Sequence, residues 1–183
     1  MISQQRVLLF VLIMSFAAFA VPSGCEAQSQ LRILPADTIM CVGDIFEIDV
    51  YIDSFVVNLM GWDLIVEYDE AILDVVDVVE GTLPKDSGHP TFFFWLNEDA
   101  DDGTLEVNGS ILGKTVDSPG VLVTITFEAT AIGFCSICFV ESELRNNLNR
   151  PISHTTHCGD LMIEIPIATS EASWGRIKSA GNR

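Results

Sequence analysis

Basic residues are scarce in this chain of 183 residues, where nine Lys and Arg face 26 Asp and Glu. Three of the nine (Arg176, Lys178 and Arg183) lie in the last eight residues, so the body is more acidic still. A field of that sign repels nucleic acid and anionic membrane and suits a soluble extracellular protein. Histidine is rarer, with three in all, and His89 sits in a loop with no obvious partner. No Gly-x-Ser-x-Gly elbow surrounds Ser110 or Ser118, and no Gly-rich phosphate loop is present. Those absences remove the common nucleophile and nucleotide signatures. Paired carboxylates could make a glycosidase, but in a chain this acidic such pairs arise by chance. The expectation is a protein that is not an enzyme and needs no cofactor.

Long apolar runs are also missing, apart from Val7 to Ala20 after Arg6. A positive start, a short apolar core and a small-x-small end describe a secretory signal peptide, too short for a comfortable membrane span. Two cleavage sites fit, Ala18-Phe19-Ala20 and Cys25-Glu26-Ala27, the second leaving Gln28 as the first mature residue. Ser23-Gly24-Cys25 also resembles the end of a bacterial lipoprotein cleavage box, although Pro22 stands where that box wants Leu; a lipid anchor at Cys25 is the alternative processing. The expected organisation is a signal peptide over 1–27, one domain over 28–167 and a flexible tail over 168–183. The expected location is secreted or cell-surface.

Helical periodicity is absent as well; what the chain has instead is alternation. In Gly43–Val79, Phe46, Ile48, Val50 and Ile52 point one way while Glu47, Asp49 and Tyr51 point the other. Trp62, Leu64, Val66 and Tyr68 then oppose Asp63 and Glu67. A period of two is what a half-buried strand requires. Ala71 to Val79 reads as a helical turn becoming extended. Gly81 to Pro90 reads as loop. Thr91 to Leu96, TFFFWL, has no polar face, so both sides are expected to find cover. Asp101-Asp102-Gly103 marks a hairpin turn into a strand over Thr104–Ile111. Val121 to Ala129 alternates again, Phe134 to Phe139 is a cysteine-bearing strand, Glu141 to Gly159 a polar loop and Leu161 to Ile165 a last strand. Eight or nine short strands with no helix of consequence predict a β-sandwich or barrel.

Four cysteines follow Cys25: Cys41, Cys135, Cys138 and Cys158. Export and an even count favour disulfides, with three connectivities open. A strand over 134–139 puts Cys135 and Cys138 on opposite faces, which argues against pairing them with each other and for longer-range partners such as Cys41 or Cys158. Zinc is the competing reading. Cys135-x-x-Cys138 with His154, His157 and Cys158 supplies enough ligands for a tetrahedral site, but the CxxC lacks the Gly or Pro of a tight knuckle. Asn97 to Gly103 resembles a calcium loop only loosely: counted from Asn97, Asp102 falls where Gly is needed and Asn108 where Glu is needed. It is read as an acidic turn, with no metal.

A family resemblance completes the reading. Val42-Gly-Asp44, Met60-Gly-Trp-Asp-Leu-Ile-Val-Glu-Tyr-Asp69 with Leu73 and Val75, Gly81-x-Leu83, the aromatic strand 91–96, Gly103-Thr-Leu-Glu-Val107 and Gly120-Val-Leu-Val-Thr-Ile-Thr-Phe-Glu128 stand in the order of a cohesin domain. The similarity covers about residues 31 to 166. The four cysteines and the single module depart from the usual pattern. The resemblance implies an all-β, nine-stranded jelly-roll sandwich that binds a dockerin-bearing protein, with calcium on the partner, in polysaccharide degradation or cell-surface assembly. It implies a binding sheet around 60–68, 91–96, 104–111 and 121–129, with Asp63, Glu67, Asn97 and Glu106 as candidate partner-binding residues. A carbohydrate-binding or structural sandwich is the alternative. An exposed aromatic row would favour sugar, yet strand periodicity predicts burial for most of Phe92, Phe94, Trp95 and Trp62.

Overall fold

The computed structural model describes residues 28–97 and 103–166. The expected signal peptide, Cys25, most of the acidic 97–103 turn and the tail with Trp174 lie outside the described residues. The strands are β1 (Ser29–Leu34), β2 (Asp37–Cys41), β3 (Ile45–Ile52), β4 (Leu59–Glu67), β5 (Leu73–Glu80), β6 (Thr91–Leu96), β7 (Thr104–Ile111), β8 (Gly120–Ala129), β9 (Gly133–Asn146), β10 (His154–His157) and β11 (Gly159–Glu164). One sheet runs β10-β1-β3-β8-β5 and the other β2-β11-β9-β4-β7-β6. The all-β sandwich is as expected. Short outer strands β2 and β10 bring the count among the described residues from nine to eleven.

Alternation explains the layering. Phe46, Ile48, Val50 and Ile52 of β3 are buried, as are Trp62, Leu64 and Val66 of β4 and Val123, Ile125 and Phe127 of β8. These side chains meet between the two sheets, which is where the apolar surface can leave water. The turn expected before β5 forms through Ile72 and Leu73 N–H groups donating to the Asp69 carbonyl.

Four expectations change. Residues 81–90 contain a one-turn helix, α1 (Thr82–Lys85), whose Leu83 and Pro84 are buried. A Cβ on Gly81 would stand 2.2 Å from the Val121 carbonyl oxygen. Glycine there lets α1 lie directly on β8 and drop Leu83 into the end of the sandwich. Residues 141–146, read as loop, extend β9 to fourteen residues. That half of β9 offers one strongly apolar inward residue, Leu144, among Glu141, Glu143 and Arg145, so the apolar signal is weak although the period is intact. Strand β8, assigned to the binding sheet, lies in the other sheet between β3 and β5; β9 holds its place beside β4. The fourth change concerns β6. It is an outer strand, with Phe92 56%, Phe94 44% and Trp95 36% exposed, so only Phe93 packs on the core. An outer strand has one neighbour and one layer beneath it, so its second face stays open.

Trp62 lies over Gly109, its cross-strand partner on β7. A Cβ at 109 would come within 2.0 Å of the indole. Gly109→Ala is therefore expected to destabilise by about 2 kcal/mol, the usual cost of overpacking a filled core. Urea denaturation monitored by tryptophan fluorescence checks this; an unchanged midpoint would show that the indole can move aside.

Candidate functional site

The solvent side of β9-β4-β7-β6 is organised by register into three cross-strand rows. Arg145, Gly61, Ser110 and Phe92 form the first; Glu143, Asp63, Asn108 and Phe94 the second; Glu141, Ile65, Glu106 and Leu96 the third. Residues directly opposite across antiparallel strands project to the same side. Each row therefore runs from a charged end on β9 to an apolar end on β6. Asp63 stands near the centre of this grid.

Two depressions flank Asp63. One, of about 460 Å³, is lined by Asp63, Glu141, Glu143, Pro151 and His154 among others. The second, of about 500 Å³, opens over Gly61, which has no side chain to fill it, and reaches Asn108, Ser110, Arg145 and Asn149. Within the grid, Asn108 Nδ2 donates to Glu106 Oε1 at 2.7 Å. Arg145 donates to Glu143 Oε2 at 2.7 Å and to the Asn149 backbone and side-chain oxygens at 3.2 and 3.3 Å. The guanidinium is thus held at one margin and leaves Asp63 among like charges.

Partial burial pushes the Asp63 carboxyl above its ordinary value, and the carboxylates of Glu106, Glu143 and Glu141 push the same way; Arg145 opposes them. A raised carboxyl means that the folded state holds the proton more tightly than the unfolded chain. Stability contributed by this group is then lost as pH rises from the ordinary value of 3.8 through the raised one. Asp63→Asn is expected to melt slightly higher than the parent at neutral pH. The difference should vanish below about pH 3, where both states are protonated. Paired thermal melts across that range check the sign.

A cohesin-domain model matches residues 34–134, more than half of the chain. The chain belongs to the cohesin family. No curated protein matches it. Among solved structures, a non-cellulosomal cohesin from the hyperthermophilic archaeon Archaeoglobus fulgidus superposes with TM-score 0.63 at 16% identity, covering 86% of this chain and 100% of that one. A type II cohesin domain from the cellulosome of Acetivibrio cellulolyticus gives TM-score 0.65 at 19% identity, covering 75% and 98%. The cohesin of a type I cohesin–dockerin complex from Clostridium thermocellum gives 0.63 at 17%, covering 75% and 100%. At these identities the likeness concerns the fold.

The sequence candidates distribute unevenly over this cohesin. Asp63 and Glu67 on β4 and Glu106 on β7 share the open face. Asn97, at the end of β6, instead has its side-chain carbonyl 3.5 Å from the Tyr68 hydroxyl. Sequence reasoning missed Glu141, Glu143 and Arg145, whose alternation along β9 is the signal that could have found them. Phe92 and Phe94 were expected inside and are outside; Trp62 is buried, as expected.

The cysteine and histidine groups separate. Cys138 is bonded to Cys158, with Cα atoms 4.5 Å apart, while Cys41 and Cys135 are free thiols. Cys135 faces the core, where its sulfur accepts the Asp69 N–H at 3.4 Å and burial pushes the thiol pKa up. His154 Nδ1 lies 2.8 Å from the Ile152 carbonyl and so carries the proton, leaving Nε2 to accept the Ser142 hydroxyl at 2.9 Å. This contact ties β10 to β9. Among the described residues no cluster of His, Cys, Asp or Glu is arranged to hold a metal. His89 is exposed in its loop. Among the described residues no helix is long and apolar enough to cross a membrane.

Proposed function

We propose that this cohesin is a non-catalytic, secreted or cell-surface binding module, and that a dockerin-bearing protein docks on the β9-β4-β7-β6 face. The observation that carries this reading is the three-row grid, where carboxylates around Asp63 adjoin Phe92, Phe94 and Leu96 on one open face of the sheet. A helix with basic and apolar residues on one side complements such a surface. Calcium would belong to the partner, and the setting would be polysaccharide degradation or cell-surface assembly. Export would use residues 1–27 as a signal peptide, with Cys25 as the alternative lipid anchor.

The exposed pair Phe92 and Phe94 supports a second reading, polysaccharide binding, because alternate residues of a strand present their rings in line. Isothermal titration of the full chain against dockerin modules from the same organism separates the two. Binding that weakens about tenfold or more in Asp63→Lys and in Phe94→Asp, equivalent to at least about 1.4 kcal/mol, supports the dockerin face. No binding to any dockerin, together with retention on insoluble polysaccharide lost in Phe92→Ala, would replace it with the second reading.

A further inference from the structure

The same sheet carries a second surface, made by β2, β11 and the first half of β9. Met162 lies directly opposite Ile39 on one side and Phe134 on the other. The three side chains form an apolar row on the solvent face and are 67% (Ile39), 42% (Met162) and 58% (Phe134) exposed. Ile132, two residues before Phe134, is 58% exposed. Single exposed apolar residues need no explanation, but a continuous cross-strand row marks an interaction site. Acidic residues border it. Asp37 and Asp160 are paired on one side, and Glu164, opposite Cys41, lies on the other. The row sits beyond the Cys138–Cys158 bond from the Asp63 grid and is a separate surface.

The chain itself supplies a segment of matching chemistry. It leaves β11 at Glu164, two residues after Met162, and continues through 167–183. That segment contains Trp174 and Ile177 interleaved with Arg176 and Lys178, in a chain whose other basic residues are few. At about 3.5 Å per extended residue, Trp174 can lie as far as about 28 Å from Pro166. The apolar row spans only two strand spacings, about 10 Å. Reach is therefore ample. A second copy fits less well, because it would bring Asp37, Asp160 and Glu164 against the same carboxylates.

We propose that the Ile39–Met162–Phe134 row is the docking surface for segment 167–183 of the same chain. Trp174 covers the apolar row, and Arg176 and Lys178 face Asp37, Asp160 and Glu164.

The test places p-benzoylphenylalanine at position 174 of the full chain, followed by irradiation and peptide mapping. The benzophenone inserts into nearby C–H bonds. The expected product has monomer mass and joins position 174 to a peptide containing Met162, Phe134 or Ile39. Its yield should fall about tenfold in Phe134→Ser, the scale of one lost buried aromatic contact. Arg176→Ala with Lys178→Ala should lower it several-fold, with the circular dichroism spectrum unchanged in both. Products of dimer mass would assign the row to a second copy and overturn the proposal. So would adducts confined to the Asp63 grid, an absence of adducts, or a yield indifferent to Phe134→Ser.

Discussion

Phe127→Ala is expected to lower the unfolding free energy by about 4 kcal/mol, the range for removing a large buried aromatic side chain. Phe127 is 0% exposed on β8, whose neighbours are β3 and β5. Its ring stacks on Phe46 with centroids 6.1 Å apart and meets Tyr68 edge-on at 5.3 Å. Phe46 belongs to the same sheet, whereas Tyr68 follows β4 of the other. The ring therefore joins the two layers, and alanine leaves a void that neither sheet can close without moving as a whole. A loss of this size corresponds to a fall of about 15 °C in melting temperature for a domain of this length. Phe127→Leu keeps most of the volume and should cost about half as much. Urea denaturation of the two variants checks the ratio. A loss below about 1 kcal/mol for alanine is incompatible with a well-packed ring at this position.

Breaking the Cys138–Cys158 bond is the second large effect. The bridge closes 20 residues, from β9 to the junction of β10 and β11. Cross-linking a loop of that length limits the unfolded chain and adds about 3 kcal/mol in the chain-entropy account. The double variant Cys138→Ala, Cys158→Ala should lose that amount, and reductant should lower the melting point of the parent but leave the variant unchanged. Thiol labelling gives an independent check. Within 28–166 the native protein should react first at half-buried Cys41 and slowly at Cys135, which is buried and has a raised pKa. If Cys138 labels readily without reductant, the bond is not formed. If reductant moves the melting point of the parent and of the double variant equally, the effect belongs to other cysteines.

Much of the site was readable from strands with a strong apolar face. On β4, Trp62, Leu64 and Val66 point inward, and a period of two then sends Asp63 and Glu67 outward; the same rule places Glu106 on β7. On β9 the apolar signal fades after Val140, so the sequence pattern reads Glu141, Glu143 and Arg145 as loop and does not reveal the most acidic end of the grid. Phe92 and Phe94 show the opposite error. Their hydrophobicity predicted cover, but residue type does not say whether a strand ends up inside a sheet or at its margin.

The sequence by itself determined the sandwich and which side of most strands faces the core, because alternation is a local property written within five or six residues. It also determined that Cys135 and Cys138 point to opposite faces. Only the tertiary structure decided which strands are neighbours: it set β9 rather than β8 beside β4, gave β6 and β2 the margins of the sheet, and brought Cys158 to Cys138. Pairing joins residues far apart in the chain, and its energy comes from matching whole faces rather than from any one segment. The Asp63 grid and the Ile39–Met162–Phe134 row exist only at that level, since each is assembled from three or four strands.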